Sequence, residues 1–268
     1  MALGHFRGFG RRYSSLCYSL AVSVSLAFVP SAWADTPPQT VIFNLTGVSG
    51  GVYGNVYTSP YLGNINGGST IPVICDDFAD DSYLPESWHA YDTNLATLPS
   101  STSSSPDDTY LKWGSDANTS LGTTLGLGAG FSLNQTQEYD VAAYLIAELL
   151  NPSSGLNSND LSFAIWGLFD APAFVYVTGA DRTTAETYLK NAIQAVGSPS
   201  SQTAYSNVDI YTYVPNSGVW GCNNCQPPPQ EFIVVRTPEA STALNLGMDV
   251  LAFVGLLGFL RKRAIATV

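Results

Sequence analysis

Positive charge is scarce in this chain. Ten Lys plus Arg stand against 21 Asp plus Glu, a formal net charge of −11. Residues 35–236 hold 19 of the acids and only four bases, Lys112, Arg182, Lys190 and Arg236, a net of −15. A surface of that sign repels phosphate backbones, so nucleic acid is excluded as a partner. Histidine is nearly absent too: two in all, and only His89 beyond the first 34 residues. That leaves no multi-histidine metal centre and confines any Ser-His-Asp arrangement to His89. The sequence also lacks a G-x-S-x-G elbow, an H-E-x-x-H helix motif and a phosphate-binding loop. The reading is therefore not an enzyme, with no catalytic residue, no metal and no cofactor. The remaining enzymatic alternative is a secreted carbohydrate-active hydrolase using carboxylates, since acids are plentiful.

Long apolar runs occur at the two ends. Arg7, Arg11 and Arg12 precede the apolar residues 16–29, and Ala32-Trp33-Ala34 follows. A charged start, an apolar stretch and a small-x-small site make a signal peptide over 1–34, cleaved after Ala34. A signal anchor is the alternative. At the other end, Thr237-Pro238-Glu239-Ala240-Ser241-Thr242 leads into an apolar run over 243–260, then Arg261-Lys262-Arg263. Eighteen residues at about 1.5 Å each give about 27 Å, close to the hydrocarbon thickness of a bilayer. The basic triplet reads as a stop-transfer signal held on the cytoplasmic side.

This tail, 237–268, resembles the PEP-CTERM sorting signal of Gram-negative bacteria. The resemblance rests on Pro238, Glu239, Ser241 and Thr242, on Val254-Gly255-Leu256-Leu257-Gly258, and on the closing triplet. It implies a precursor anchored in the inner membrane and processed by an exosortase-type enzyme. The product then moves to the cell surface or extracellular matrix, where exopolysaccharide or other surface proteins are partners. The motif's second proline is Ala240 here, and Asn245 and Asp249 lie within the apolar run. A carboxylate in mid-span costs about 2.5–3.5 kcal/mol on insertion scales. A plain C-terminal membrane anchor is the alternative.

The 202 residues between, 35–236, suffice for one domain with a real core. Strand patterns cover 41–45, 71–74, 88–95, 208–214 and 231–235, with hairpin signals around Gly50-Gly51 and Gly67-Gly68. Pro72 predicts an edge position for its strand. Helices are expected over 138–150 and 161–169. A third, opened by a Thr183-x-x-Glu186 capping box, should end at Gly197. Residues 99–108 are a polar loop. Strands, then helices, then strands predict an α+β, β-rich domain: a β-sandwich or barrel with an inserted helical layer, plus a C-terminal transmembrane helix.

Ile74-Cys75-Asp76-Asp77-Phe78, the apolar run Ala142-Ala143-Tyr144-Leu145-Ile146, and Phe163-Ala164-Ile165-Trp166 come in an order that resembles bacterial surface thioester domains. There a cysteine after a short strand bonds a glutamine two positions before Ala-Ile-Trp. That position is Ser162 here. The resemblance implies the fold without the thioester.

Three cysteines lie in this domain. Cys222-Asn223-Asn224-Cys225 could be redox-active or metal-binding in a reducing compartment. In an oxidising envelope it predicts a local Cys222–Cys225 disulfide, leaving Cys75 either buried or open to intermolecular pairing. Asp76, Asp77, Asp80 and Asp81, with Glu86 nearby, predict a solvated acidic turn; calcium is the competing reading.

Overall fold

A computed structural model describes residues 37–98, 107–196, 205, 207–222, 225, 226 and 228–236. The chain divides into the units Met1–Thr36 and Pro37–Val268, and every described residue belongs to the second. The sorting residues Pro238, Glu239, Ala240, Ser241 and Thr242, the triplet Arg261, Lys262 and Arg263, the span 243–260 and the cleavage residues Ala32 and Ala34 all lie outside the described residues. Among the described residues no helix is long and apolar enough to cross a membrane.

Nine strands are described: β1 (Gln39–Val48), β2 (Val52–Tyr53), β3 (Val56–Tyr57), β4 (Tyr61–Ile65), β5 (Ile71–Cys75), β6 (Glu86–Asn94), β7 (Val208–Tyr213), β8 (Val219–Trp220) and β9 (Phe232–Val235). Six close into an antiparallel barrel in the order β1-β4-β5-β9-β7-β6, with β6 returning to β1. The barrel alternative is therefore the one adopted. Closure satisfies the barrel strands' backbone groups on both sides and removes most of the open edge. β2 and β3 form a separate hairpin, and β8 adds to β6 alone.

Alternation in the sequence explains the inward face. In β1, Val41, Phe43 and Leu45 are buried, and in β6, Glu86, Trp88 and Ala90. The rings of Phe43, Trp88, Tyr211 and Phe232 meet inside. Phe43 lies 4.8 Å from Trp88 and 5.3 Å from Phe232, centroid to centroid. Such pairs add about 0.5–1.5 kcal/mol each beyond their buried area.

Five helices are described: α1 (Leu121–Thr124), α2 (Gln135–Leu150), α3 (Ser158–Phe169), α4 (Ala171–Tyr176) and α5 (Gly179–Val196). α2, α3 and α5 pack on one another, and α2 meets β9. α2 opens with a capping box, in which Asn134 accepts from the Gln137 backbone and Gln137 reaches back. Asn157 caps α3 by accepting from Asn159 and Asp160. Residues 160–169 of α3 are all buried, as its unbroken apolar run requires.

Two expectations are corrected. β5 is not an edge strand, because β4 and β9 pair its two sides. Pro72 is tolerated because β9 pairs only Ile74 and Cys75, so no ladder bond is lost at Pro72 on that side. Thr183 does not cap a helix either. α5 begins at Gly179, Thr183 donates to the Gly179 carbonyl, and Glu186 pairs with Arg182. The same Thr-x-x-Glu spacing thus serves i,i+4 contacts inside a helix.

Candidate functional site

The end of β5 carries a run of buried polar side chains. Cys75, Asp76 and Asp77 are all fully buried. The Cys75 backbone N–H donates to Ser59 Oγ at 3.1 Å, and the Ser59 N–H donates to Ser162 Oγ at 3.1 Å. Ser162 Oγ donates in turn to the Ser158 carbonyl at 2.9 Å, and Trp166 Nε1 donates to the Cys75 carbonyl at 2.9 Å. The Cys75 thiol donates to the Asp77 carbonyl at 3.1 Å. Burial pushes that thiol well up, and the charges of Asp77 and Asp76 push it further. A thiol held protonated is a poor nucleophile. Of the two fates left open for Cys75, the structure gives burial.

The acidic turn is not solvated as a whole. Asp77 Oδ1 accepts from the backbone of Ala79 at 2.9 Å and Asp80 at 3.2 Å. Lys112 Nζ bridges Asp77 Oδ2 and Asp80 Oδ2, the latter at 2.5 Å, and lies 4.8 Å from the Trp113 ring centroid. One of the domain's four bases thus takes the place a calcium ion would need. Burial raises the Asp77 carboxyl above its ordinary range, and the Lys112 charge opposes this.

Glu231, at the entry to β9, joins the cluster from the far end of the chain. It accepts from Tyr139 Oη at 2.6 Å, the Lys112 backbone at 3.0 Å and Thr212 Oγ1. Asp76 faces Glu231, and no donor reaches either of its oxygens. Two carboxylates cannot hydrogen-bond to each other unless one keeps its proton. Burial drives the Asp76 carboxyl well above its ordinary range, and the neighbouring Glu231 charge adds to it.

Beside this cluster a cavity of about 310 Å³ is lined by Tyr91, Tyr110 and Tyr213 together with Asp80, Lys112 and Glu231. The Tyr91 and Tyr110 rings meet at 5.0 Å. Both carboxylates of this cavity are already engaged, Asp80 by Lys112 and Glu231 by three donors. His89 packs its ring 5.2 Å from Trp220.

Cys222 and Cys225 lie at bonding distance, with Cα atoms 5.8 Å apart, as the predicted disulfide requires. Glu86, buried at the start of β6, stands against them. Burial pushes its carboxyl up to about 7.

Sequence reasoning placed Cys75, Ser162 and the cysteine pair. It missed Glu231, Lys112, Tyr139 and Glu86 as members of these clusters. The available signal was a lone acid directly before the apolar Phe232-Ile233-Val234 and a base scarce enough to need a partner. Compared with known proteins, the chain matches no family, no curated protein and no solved structure.

Proposed function

We propose that this is an exported protein of the bacterial cell surface or extracellular matrix, with a structural or adhesive role rather than a catalytic one. The carrying observation is the order of segments at the chain's end: Pro238-Glu239 with Ser241-Thr242, the apolar run 243–260, then Arg261-Lys262-Arg263. A signal-like start over 1–34 agrees with it. The precursor is held by the apolar run, and an exosortase-type enzyme cuts near the motif.

The character of the domain supports the reading. A closed barrel hides most of its strand edges, which suits a protein exposed outside the cell without a chaperone. The order of β5 cysteine and buried α3, joined through Ser59, Ser162 and Trp166, fits a thioester-domain-like scaffold. Ser162 has no carboxamide, so such a scaffold stays non-covalent here. The carboxylates beside the cavity are neutralised by Lys112 or saturated with donors, which argues against the hydrolase alternative.

Fractionation of a native host carrying tagged variants tests this. The full chain should appear in the surface or matrix fraction. A chain truncated after residue 236, or carrying P238A with E239A, should leave that fraction. Unchanged location of both variants would remove the sorting role from the tail.

A further inference from the structure

Among the described residues, one grouping of three metal-compatible side chains occurs: Glu86, Cys222 and Cys225, whose ligand atoms all lie within 4.8 Å of one another. Glu86 is 2% exposed, and its Oε1 has no hydrogen-bond donor. Ser82 and the Tyr83 backbone hydrogen-bond the Glu86 carboxyl, so Oε1 alone is left without a partner, and a cation there would satisfy it.

The backbone builds the arrangement deliberately. β8 pairs with the start of β6, Ser87 opposite Trp220. Gly221 follows with φ +89°, a left-handed conformation that disfavours any side chain. A Cβ at Gly221 would sit 3.7 Å from the Glu86 Cα. That contact brings the chain at Cys222 beside Glu86 across a separation of 136 residues in sequence. Both cysteines are half-buried, so an ion from solution can reach them.

We propose that the reduced Cys222–Cys225 pair and Glu86 form a three-ligand site for one zinc-class divalent ion, and that the disulfide closes it. Two thiolates and one carboxylate suit a borderline-soft ion, with a fourth position left for water. Bond lengths of about 2.0–2.3 Å in a tetrahedron put ligand atoms about 3.3–3.8 Å apart, so on reduction the two sulfurs must part from bonding distance to about 3.8 Å while Glu86 stays within reach. Opening requires a dithiol reductant. The S–S bond breaks, each sulfur takes a proton and the reductant becomes a disulfide. Binding of the ion then releases both thiol protons to solvent. Oxidation withdraws both sulfur ligands, so the site holds an ion only in the reduced state.

The test uses the full chain in detergent, reduced with a dithiol that is then removed anaerobically. Co²⁺ titration should give a thiolate-to-cobalt absorption band saturating at one ion per chain and displaced by Zn²⁺. The oxidised protein and C222S/C225S should show no such band. E86Q should weaken Zn²⁺ binding at least tenfold with the fluorescence of the folded protein unchanged. Reduced protein binding no better than C222S/C225S, or E86Q binding within twofold of the parent, would overturn the site. If E86Q does not fold, zinc-edge absorption on the parent decides. Two sulfurs with oxygen donors support the site; four sulfurs, or none, overturn it.

Discussion

Replacing Lys112 by methionine keeps the length of the stem and removes the charge shared by Asp77 and Asp80. The Asp77 side chain is fully buried, while those of Lys112 and Asp80 are 22% and 25% exposed. Breaking a buried pair costs about 3–5 kcal/mol. Two retained backbone donors to Asp77 Oδ1 moderate this, so about 3 kcal/mol is expected at pH 7. Protonating Asp77 sets a ceiling. From its ordinary value of 3.8, at about 1.36 kcal/mol per unit, the ceiling is about 4.4 kcal/mol at pH 7 and about 1.6 kcal/mol at pH 5. The sign follows from the folded Asp77 carboxyl, which is already raised and rises further without Lys112. Stability of the variant is then greatest at low pH and is lost as pH rises through that folded value. Urea unfolding followed by tryptophan fluorescence, at pH 5 and pH 7, measures both penalties. D77N/K112M should recover part of the loss at pH 7. A penalty under about 1 kcal/mol at pH 7, or one equal at both pH values, would refute the account of the cluster.

Four further outcomes are expected. Non-reducing peptide mapping should find Cys222 joined to Cys225, and Cys75 should resist alkylation until the protein unfolds; a Cys75 bridge to either would contradict the burial of its thiol. Gly167→Ala should cost at least about 2 kcal/mol by denaturant unfolding, because the new methyl would overlap the buried Phe174 ring; a change under about 0.5 kcal/mol would contradict the packing of α4 on α3. Burial raises Glu138 to about 9 and Asp140 to about 6. Both contribute stability at low pH that is lost as pH climbs through those values, so unfolding free energy should fall between pH 5.5 and pH 9. Intact mass should show neither the deficit of about 17 Da of a thioester nor a methylamine adduct, since Ser162 offers no acyl group.

The α+β class, β1, β5, β6, β7, β9, the Gly67-Gly68 turn between β4 and β5 and the two apolar helices were legible in the sequence, whereas the β2–β3 turn falls at Gly54-Asn55 rather than at Gly50-Gly51. Their alternation or unbroken apolar runs are the direct imprint of burial. Helix starts were less legible. Thr183 and Glu186 satisfy a capping pattern by spacing alone, and only the chain before them decides whether they open a helix or continue one. α4 escaped notice because a six-residue helix containing Pro172 has too little periodicity to register. The acidic turn misled for a different reason. Asp76, Asp77, Asp80 and Asp81 look solvated when read locally. Asp81 is indeed exposed, but Asp76 and Asp77 are buried against Lys112 and Glu231, which arrive from 35 to 155 residues away. The Glu86 contact with the cysteine pair is equally non-local and leaves no spacing to recognise.

Mass spectrometry of the protein recovered from the native cell surface tests the central claim most directly. Export and tail processing predict an N-terminus at Asp35 and a C-terminus close to Glu239. A chain that still ends at Val268 in most molecules would contradict processing and leave a membrane-anchored protein instead.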